Sequence, residues 1–309
     1  MMANEAAAQP AYENPLIPNA RLRQMHRAMT HARMLASALP HAQRAQTAGL
    51  EACLVSTSAD LGQGDLVSDT QTGAVVDLLR GADLRAVLRH AKFHAPRSAR
   101  AGKPVAAVGR LPAAPSAAER IWMALGSAAS LQAAAAHAKA HAKETDEAAK
   151  QSGVVTIYAQ SREIPTAIWR KVLSFAAGQH LPVIFVVLPP PRNQAKKTTN
   201  LGTLSDLALR CGVPGVPVDA DDAVAVYRVA QESIGHARIG GGPALMECVP
   251  FVIPSAKSPR NATADAIAGL ESYMLHRGVV TRSWMQREAK AFAKRVANAK
   301  QLAVKGRAK

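Results

Sequence analysis

The stretch GVVTIYAQSREIPTAIWRKVLSFAAGQHLPVIFVVLPPP, residues 153–191, limits what this chain can fold into more than any other. Within it, LPVIFVVL is apolar without alternation, so a strand built from it must be covered on both faces. That requirement is met by a parallel sheet with helices on each side. GVVTIYA is a shorter β-rich run ahead of it. Between the two, IPTAIWRKVLSFAAGQH carries Ile168, Val172, Phe175 and Ala176 at helical spacing, which predicts a strand, helix, strand unit with those four residues on the covered face. Sheets of this kind hold ligands at the carboxyl ends of their strands. Here those ends read YAQSR and LPPP, and the three prolines form a stiff exit that donates no backbone hydrogen bond.

The rest of the chain repeats the theme. Residues 1–15 lack periodicity, contain Pro10 and Pro15, and read as a flexible arm. NARLRQMHRAMTHARMLASAL sets Leu22, Met25, Met29 and Ala32 at helical spacing, with Asn19 in the place of a cap. His26 and His31 lie five apart, do not share a helix face, and read as surface or helix-packing residues rather than ligands. A helix start near Gly49, a turn at Gly62 and Gly64, and a helical pair broken by Gly81 follow. Residues 95–116 hold four prolines and no apolar period, which predicts a long loop, and 117–150 an Ala-rich helix. Its His137 and His141 are four apart, a spacing that can grip a metal. No Glu follows the first histidine and Lys139 and Lys143 flank the pair, so a solvated helix face is the stronger reading. VPGVPVDA and PALMECVPFVI read as two more strands around a helix from Asp222 to Arg238. The fold class expected is α/β, an open, mostly parallel sheet with helices on both faces. One principal domain spans 16–263, and a helical basic tail spans 264–309.

A net charge of +16 leaves three classes open: a nucleic-acid partner, an acidic protein partner, or a basic surface that only keeps the chain soluble. Aromatics are 4% of residues, too few for the stacking that single-strand binding uses, and no nucleic-acid module is present, so nucleic acid ranks last. The cations of the tail, such as Lys290, Lys294 and Arg295, read most simply as a solvated face. No apolar run approaches the ~18 residues of a membrane span, and MMANEAAAQPAYENP lacks the layout of a signal peptide, so no membrane association and a cytoplasmic location are expected. Cys53, Cys211 and Cys248 stand far apart without CxxC spacing, which predicts free thiols rather than a disulfide framework or zinc site.

Several phrases, in one order, resemble the alpha subunit of the thiamine-diphosphate-dependent 2-oxo acid dehydrogenases, the decarboxylating first component of the pyruvate and branched-chain complexes. They are LRQMHRAMTHARMLASAL with AGLEACLV, then LSFAAGQHLPVIFVV, then GVPGVPVDADDAVAVYRVAQESIGHARIGGGPALMECV, then LESYMLHRGVVTRSW. The resemblance implies a thiamine-diphosphate-binding type fold and a beta-type partner subunit. It also implies thiamine diphosphate held through Mg²⁺, a hard ion that takes oxygen ligands: an Asp in a GDG turn after one strand and an Asn in an NN pair after the next. At the matching positions this chain has Gln160, Ser161 and Arg162 for GDG, and Pro189 and Pro190 for NN. Where the family carries a Tyr-Arg pair stand Thr70 and Gln71, and its histidine loop falls within FVIPSAKSPRNATAD, which has no histidine.

The resemblance with those departures implies a catalytically degenerate alpha-subunit-like protein with a structural or regulatory role, in a hetero- or homo-oligomer. No residue is assigned to catalysis, cofactor or metal, and no cofactor is expected. The alternatives are an active 2-oxo acid dehydrogenase alpha subunit with an atypical cofactor site, and a basic nucleic-acid-binding protein. A nucleophilic role for Ser161 has neither a GxSxG turn nor a His or Asp partner at any informative spacing.

Overall fold

A computed structural model of the chain describes residues 16–41, 44, 47–69, 73–93, 109–112, 114–141, 152–190, 203–250 and 265–305. The expected arm 1–15, Thr70 and Gln71, residues 95–108 and 113 of the expected loop 95–116, residues 142–150 of the expected helix, Pro191, and the segment 251–264 lie outside the described residues. In chain order the elements are α1 (Asn19–Ala38), α2 (Glu51–Ser58), β1 (Leu66–Ser68), α3 (Gly73–Leu79), α4 (Leu84–Phe93), α5 (Ala117–His141), β2 (Val155–Gln160), α6 (Thr166–Gly178), β3 (Val183–Leu188), α7 (Thr203–Arg210), β4 (Gly215–Asp219), α8 (Ala223–Arg238), β5 (Ala244–Val249), α9 (Ala266–His276) and α10 (Arg282–Lys305). No described helix is long and apolar enough to cross a membrane.

The five strands form one sheet in the order β1-β2-β3-β5-β4, and every pairing is parallel. β2 and β3 hold the centre, paired from Val155↔Val183 to Gln160↔Leu188. Alternate residues of these strands enter two separate cores. Val155, Ile157, Val183, Phe185 and Val187 pack beneath α5, α6 and α7, while Tyr158, Ile184 and Val186 face the layer built on α2 and α8. On that second side the helices are two deep, since α1 lies behind α2 and α10 packs against α1 and α4. Each fully buried Val, Leu, Ile or Phe of β2 and β3 contributes about 1.5–3 kcal/mol, so covering both faces is the dominant gain.

The structure departs from the sequence reading in local detail. Asn19 is the first helical residue and is buried; Pro18 occupies the cap position. The second helix starts at Glu51, two residues beyond Gly49. On α6 the covered face is Trp169, Val172, Leu173 and Ala176; Phe175 points outward and is 46% exposed. The reason lies in the sheet: Trp169 is taken against Phe185 at 6.1 Å between ring centroids, which turns the helix by one position. β1 has only three residues, too few for a strand pattern to show in the sequence. Its outer edge is covered in part by residues 109–111, through Val67 N to Gly109 O (2.7 Å) and Leu111 N to Val67 O (2.8 Å). Gly109 has φ +78°, and a Cβ there would collide with the Asp65 carbonyl, so only glycine lets the segment approach. His26 and His31 both pack between helices: His26 meets Glu271 at 2.9 Å and His31 stacks on Phe292.

The amino end of the sheet is held by one buried carboxylate. Asp65 is 0% exposed and accepts from Gly62 N (2.6 Å), Val154 N (2.9 Å) and both Nη atoms of Arg238 (3.0 and 2.5 Å). It thereby ties the start of β1, the start of β2 and the end of α8 together, and the Arg238 carbonyl accepts from Ser152 N at 3.0 Å. Removing one partner of such a pair strands the other. Asp65→Ala is expected to lower unfolding stability by about 3–5 kcal/mol, read from the denaturant midpoint at constant slope. A midpoint shift below about 1 kcal/mol would show that the clamp is dispensable.

Acid should act through a different residue. Burial, with Arg295 next, pushes the His31 pKa from 6.5 down to about 4. Between those values the unfolded chain binds a proton that the folded chain refuses, so stability falls as pH is lowered from 6.5 toward 4. A His31→Gln variant should lose less stability than the wild type between about pH 7 and about pH 4.5; equal losses in urea titrations at the two pH values would exclude His31 as a source of the acid sensitivity.

Candidate functional site

In an open parallel sheet the carboxyl ends of the strands define the place where a ligand would be held. β1, β2 and β3 end side by side, at Ser68, Gln160 and Leu188. The positions singled out in the sequence are brought to this edge: Ser161 and Arg162 directly follow β2, and Pro189 and Pro190 follow β3.

The residues after β2 form a single 3₁₀ turn, Ser161–Glu163, closed by a reciprocal cap. The Gln160 amide donates to Glu163 Oε2 at 3.1 Å, and the Glu163 amide donates to the Gln160 side chain. Trp169 Nε1 adds a bond to the Ser161 carbonyl at 3.3 Å. Two amides that could meet an anionic group are thus used within the turn, and the partner of one is itself an anion. Ser161 and Arg162 point to solvent. Among the described residues the Ser161 hydroxyl has no hydrogen-bonded histidine or carboxylate, which leaves it an ordinary alcohol.

Behind the turn lies a charge cluster that the sequence reading missed. Arg120, on the first turn of α5, is 1% exposed. Its Nη1 donates to the Tyr158 carbonyl at 2.7 Å and reaches the Ser68 carbonyl at 3.5 Å; its Nη2 lies 3.6 Å from Glu163. Because Ser68 pairs with Ile157, the Tyr158 carbonyl lies just past the last pair of the β1–β2 ladder, where β1 supplies no further amide. The guanidinium takes that role, while its Nε and Nη2 make no hydrogen bond. Burial lowers the Arg120 pKa, and Asp69 and Glu163 work in the opposite direction. Asp69 and Asp77 are buried in the same region. Burial raises the Asp77 pKa against the pull of Arg110, whose Nη1 donates to Asp77 Oδ2 at 2.7 Å. Gly73 makes room for Arg110, since a Cβ there would strike the guanidinium.

Tyr158 connects this edge to the other helical layer. Its phenol is hydrogen-bonded with Thr57 (2.7 Å) and Ser58 (3.0 Å) of α2, and burial pushes its pKa up to about 12, so it stays a neutral donor. The arrangement is a built electrostatic brace across the strand ends. The residues that follow the neighbouring strands β2 and β3, a serine and an arginine after one and two prolines after the other, do not supply the carboxylate and amide oxygens that Mg²⁺ takes. His137 and His141 stack on each other on the exposed part of α5, at 4.3 Å between ring centroids, far along the chain from this edge. Among the described residues no three His, Cys, Asp or Glu side chains are grouped for a metal.

The signals available in the sequence were uneven. Glu163, three residues after Gln160, has the spacing of a capping box, but glutamine in place of the usual Ser or Thr cap hid it from the sequence reading. Arg120 sits in the helix AAERIWMALG with nothing nearby to mark it, and its role follows only from where α5 lies on the sheet.

Sheet order and doubly covered strands define the class, an α/β protein with an open parallel sheet, and the comparison of structures places that fold with the thiamine-diphosphate-binding type. A transketolase mutant from Pichia stipitis matches 91% of this chain and 45% of its own at TM-score 0.50 and 13% identity, a likeness of fold alone. The model of the family described as dehydrogenase E1 component matches residues 26–253, and the chain belongs to that family. Among curated relatives, the subunit alpha of acetoin:2,6-dichlorophenolindophenol oxidoreductase from Bacillus subtilis is 39% identical over 82 residues, 26% of this chain and 25% of that protein. The pyruvate dehydrogenase E1 component subunit alpha from Staphylococcus aureus is 36% identical over 85 residues, 26% of this chain and 22% of that one. These matches span about a quarter of each relative's length.

The brace itself can be tested. Arg120→Met keeps the apolar stem but leaves the Tyr158 carbonyl without its donor and the buried acids without a countercharge, which should cost about 3 kcal/mol. Arg120→Lys should recover only part of this, because an ammonium lacks the fork that spans two acceptors. Thermal unfolding of the three proteins measures it; a methionine variant as stable as the wild type would show that the guanidinium is not a brace.

Proposed function

We propose that this chain is a 2-oxo acid dehydrogenase alpha-subunit-like protein without catalytic capacity of its own, serving as a structural or regulatory subunit that takes no thiamine diphosphate at the strand ends. Family membership supplies the first half of that reading. The second half rests chiefly on the turn after β2, where the Gln160 amide is already bonded to the Glu163 carboxylate. An incoming diphosphate would have to displace a carboxylate from that amide and then face it as a like charge. Pro189 and Pro190 offer no side-chain oxygen or amide hydrogen from the opposite strand end. The names of the relatives, each a subunit alpha, support a beta-type chain as the partner to test first.

Calorimetric titration of the full chain with thiamine diphosphate and Mg²⁺ decides the point. The expected result is no binding heat up to millimolar cofactor; a Kd tighter than about 100 μM would sink the proposal. So would 2-oxo acid-dependent reduction of an artificial acceptor that requires this chain together with a beta-type subunit.

A further inference from the structure

Gln132 ties α5 to the loop before β3, its Nε2 donating to the Gln179 and His180 carbonyls at 3.2 and 3.1 Å. Beyond that tie every residue from Ala136 to His141 is exposed, so the helix stands in water there. Alanines separate His137, Lys139 and His141 along it. The two imidazoles overlap, with 4.3 Å between centroids and 26° between planes. Nitrogens bound to one ion at about 2.0–2.1 Å stand about 3 Å apart, so the helix already holds both rings within the reach of a shared ion. His141 Nδ1 lies 2.8 Å from the His137 carbonyl. A carbonyl can only accept, so Nδ1 carries the proton and Nε2 of the neutral ring keeps its lone pair. Metal-binding imidazoles are held in this way, with the second ring nitrogen bonded to a carbonyl that sets both the tautomer and the direction of the ring.

We propose that His137 and His141 form a two-nitrogen site for a late first-row divalent ion, Cu²⁺ first and then Ni²⁺ and Zn²⁺, with water completing the coordination. This site lies apart from the function above and does not depend on it. Two features of the sequence speak against a metal here, and the structure removes their force. The glutamate missing after His137 serves in HExxH as a general base for hydrolysis, and holding an ion does not need it. Lys139 is two residues from each histidine, about 200° around the helix at about 100° per residue, so its side chain is rooted on the opposite side. Lys143 lies outside the described residues. The ligand type sets the class of ion. Neutral imidazole suits Cu²⁺, Ni²⁺ and Zn²⁺, in the order of the Irving–Williams series, and a pair without a carboxylate offers little to Mg²⁺ or Ca²⁺, which take oxygen. Closed structural zinc sites take four protein ligands, so a site with two keeps open positions and exchanges its ion with solvent.

Calorimetric titration of the full chain, without an affinity tag and stripped of metal by a chelator, tests this with the chlorides of Cu²⁺, Ni²⁺, Zn²⁺ and Mg²⁺. The expected result is a Cu²⁺ Kd tighter than about 100 μM, weaker binding of Ni²⁺ and Zn²⁺, and no heat with Mg²⁺. His137→Ala and His141→Ala should each weaken Cu²⁺ binding at least tenfold. His236→Ala, which removes an exposed imidazole of α8, should leave it unchanged. Both α5 side chains are exposed and alanine favours a helix, so circular dichroism of the two variants should match the wild type; if one variant fails to fold, the other decides. A second readout needs no affinity. An ion gripped across one helical turn binds the folded chain better than the unfolded one, so saturating Ni²⁺ should raise the unfolding midpoint of the wild type and of neither α5 variant. A Cu²⁺ Kd weaker than about 100 μM, a loss below about tenfold in a folded α5 variant, or a midpoint that Ni²⁺ raises equally in wild type and variants overturns the proposal.

Discussion

The pairing of β2 with β3 is the constraint on which everything else in this protein depends. Both strands are apolar toward both faces, so neither can be left against water on either side. α5, α6 and α7 cover one face and α2 and α8 the other, with α1, α9 and α10 completing a second shell. Parallel pairing also needs long crossovers, which place the helices on the faces and leave all the carboxyl ends of the strands at one edge. The location of the candidate site therefore follows from the burial of two strands.

The two edges of the sheet are secured by different electrostatics. At the amino edge a fully buried carboxylate, Asp65, is satisfied four times over by two amides and a guanidinium. At the carboxyl edge a buried guanidinium, Arg120, caps a strand carbonyl and lies near Asp69 and Glu163 with part of its hydrogen-bonding capacity unused. A buried charge is tolerated only when its surroundings answer it, so each group fixes several elements at once. The turn after β2 meets its own polar needs through Gln160 and Glu163.

Legibility differed between fold and site for a physical reason. The parallel sheet, the α6 crossover, α8 with its Asp222 cap and the basic tail helix could be read because they rest on runs of apolar residues or on caps within a few positions. β1 could not, since three residues show no period, and its strand character depends on pairing with Val155–Ile157 almost ninety residues on. Phe175 was misplaced because periodicity allows a face about one residue wider than the one Trp169 and Phe185 select.

The sequence by itself determined that this chain would bury two strands between helices, in a parallel α/β sheet, and that serine, arginine and proline would stand at its strand ends. Those are properties of residue type and local spacing. Only the tertiary structure decided that Arg120 crosses to the end of β2, that Glu163 takes the Gln160 amide, and that Trp122 of α5 and Phe175 of α6 meet edge to face. Each of these joins residues whose distance in the chain carries no information about their distance in space, and burial or exposure, which sets the strength of every charge and ring involved, exists only once the layers have packed.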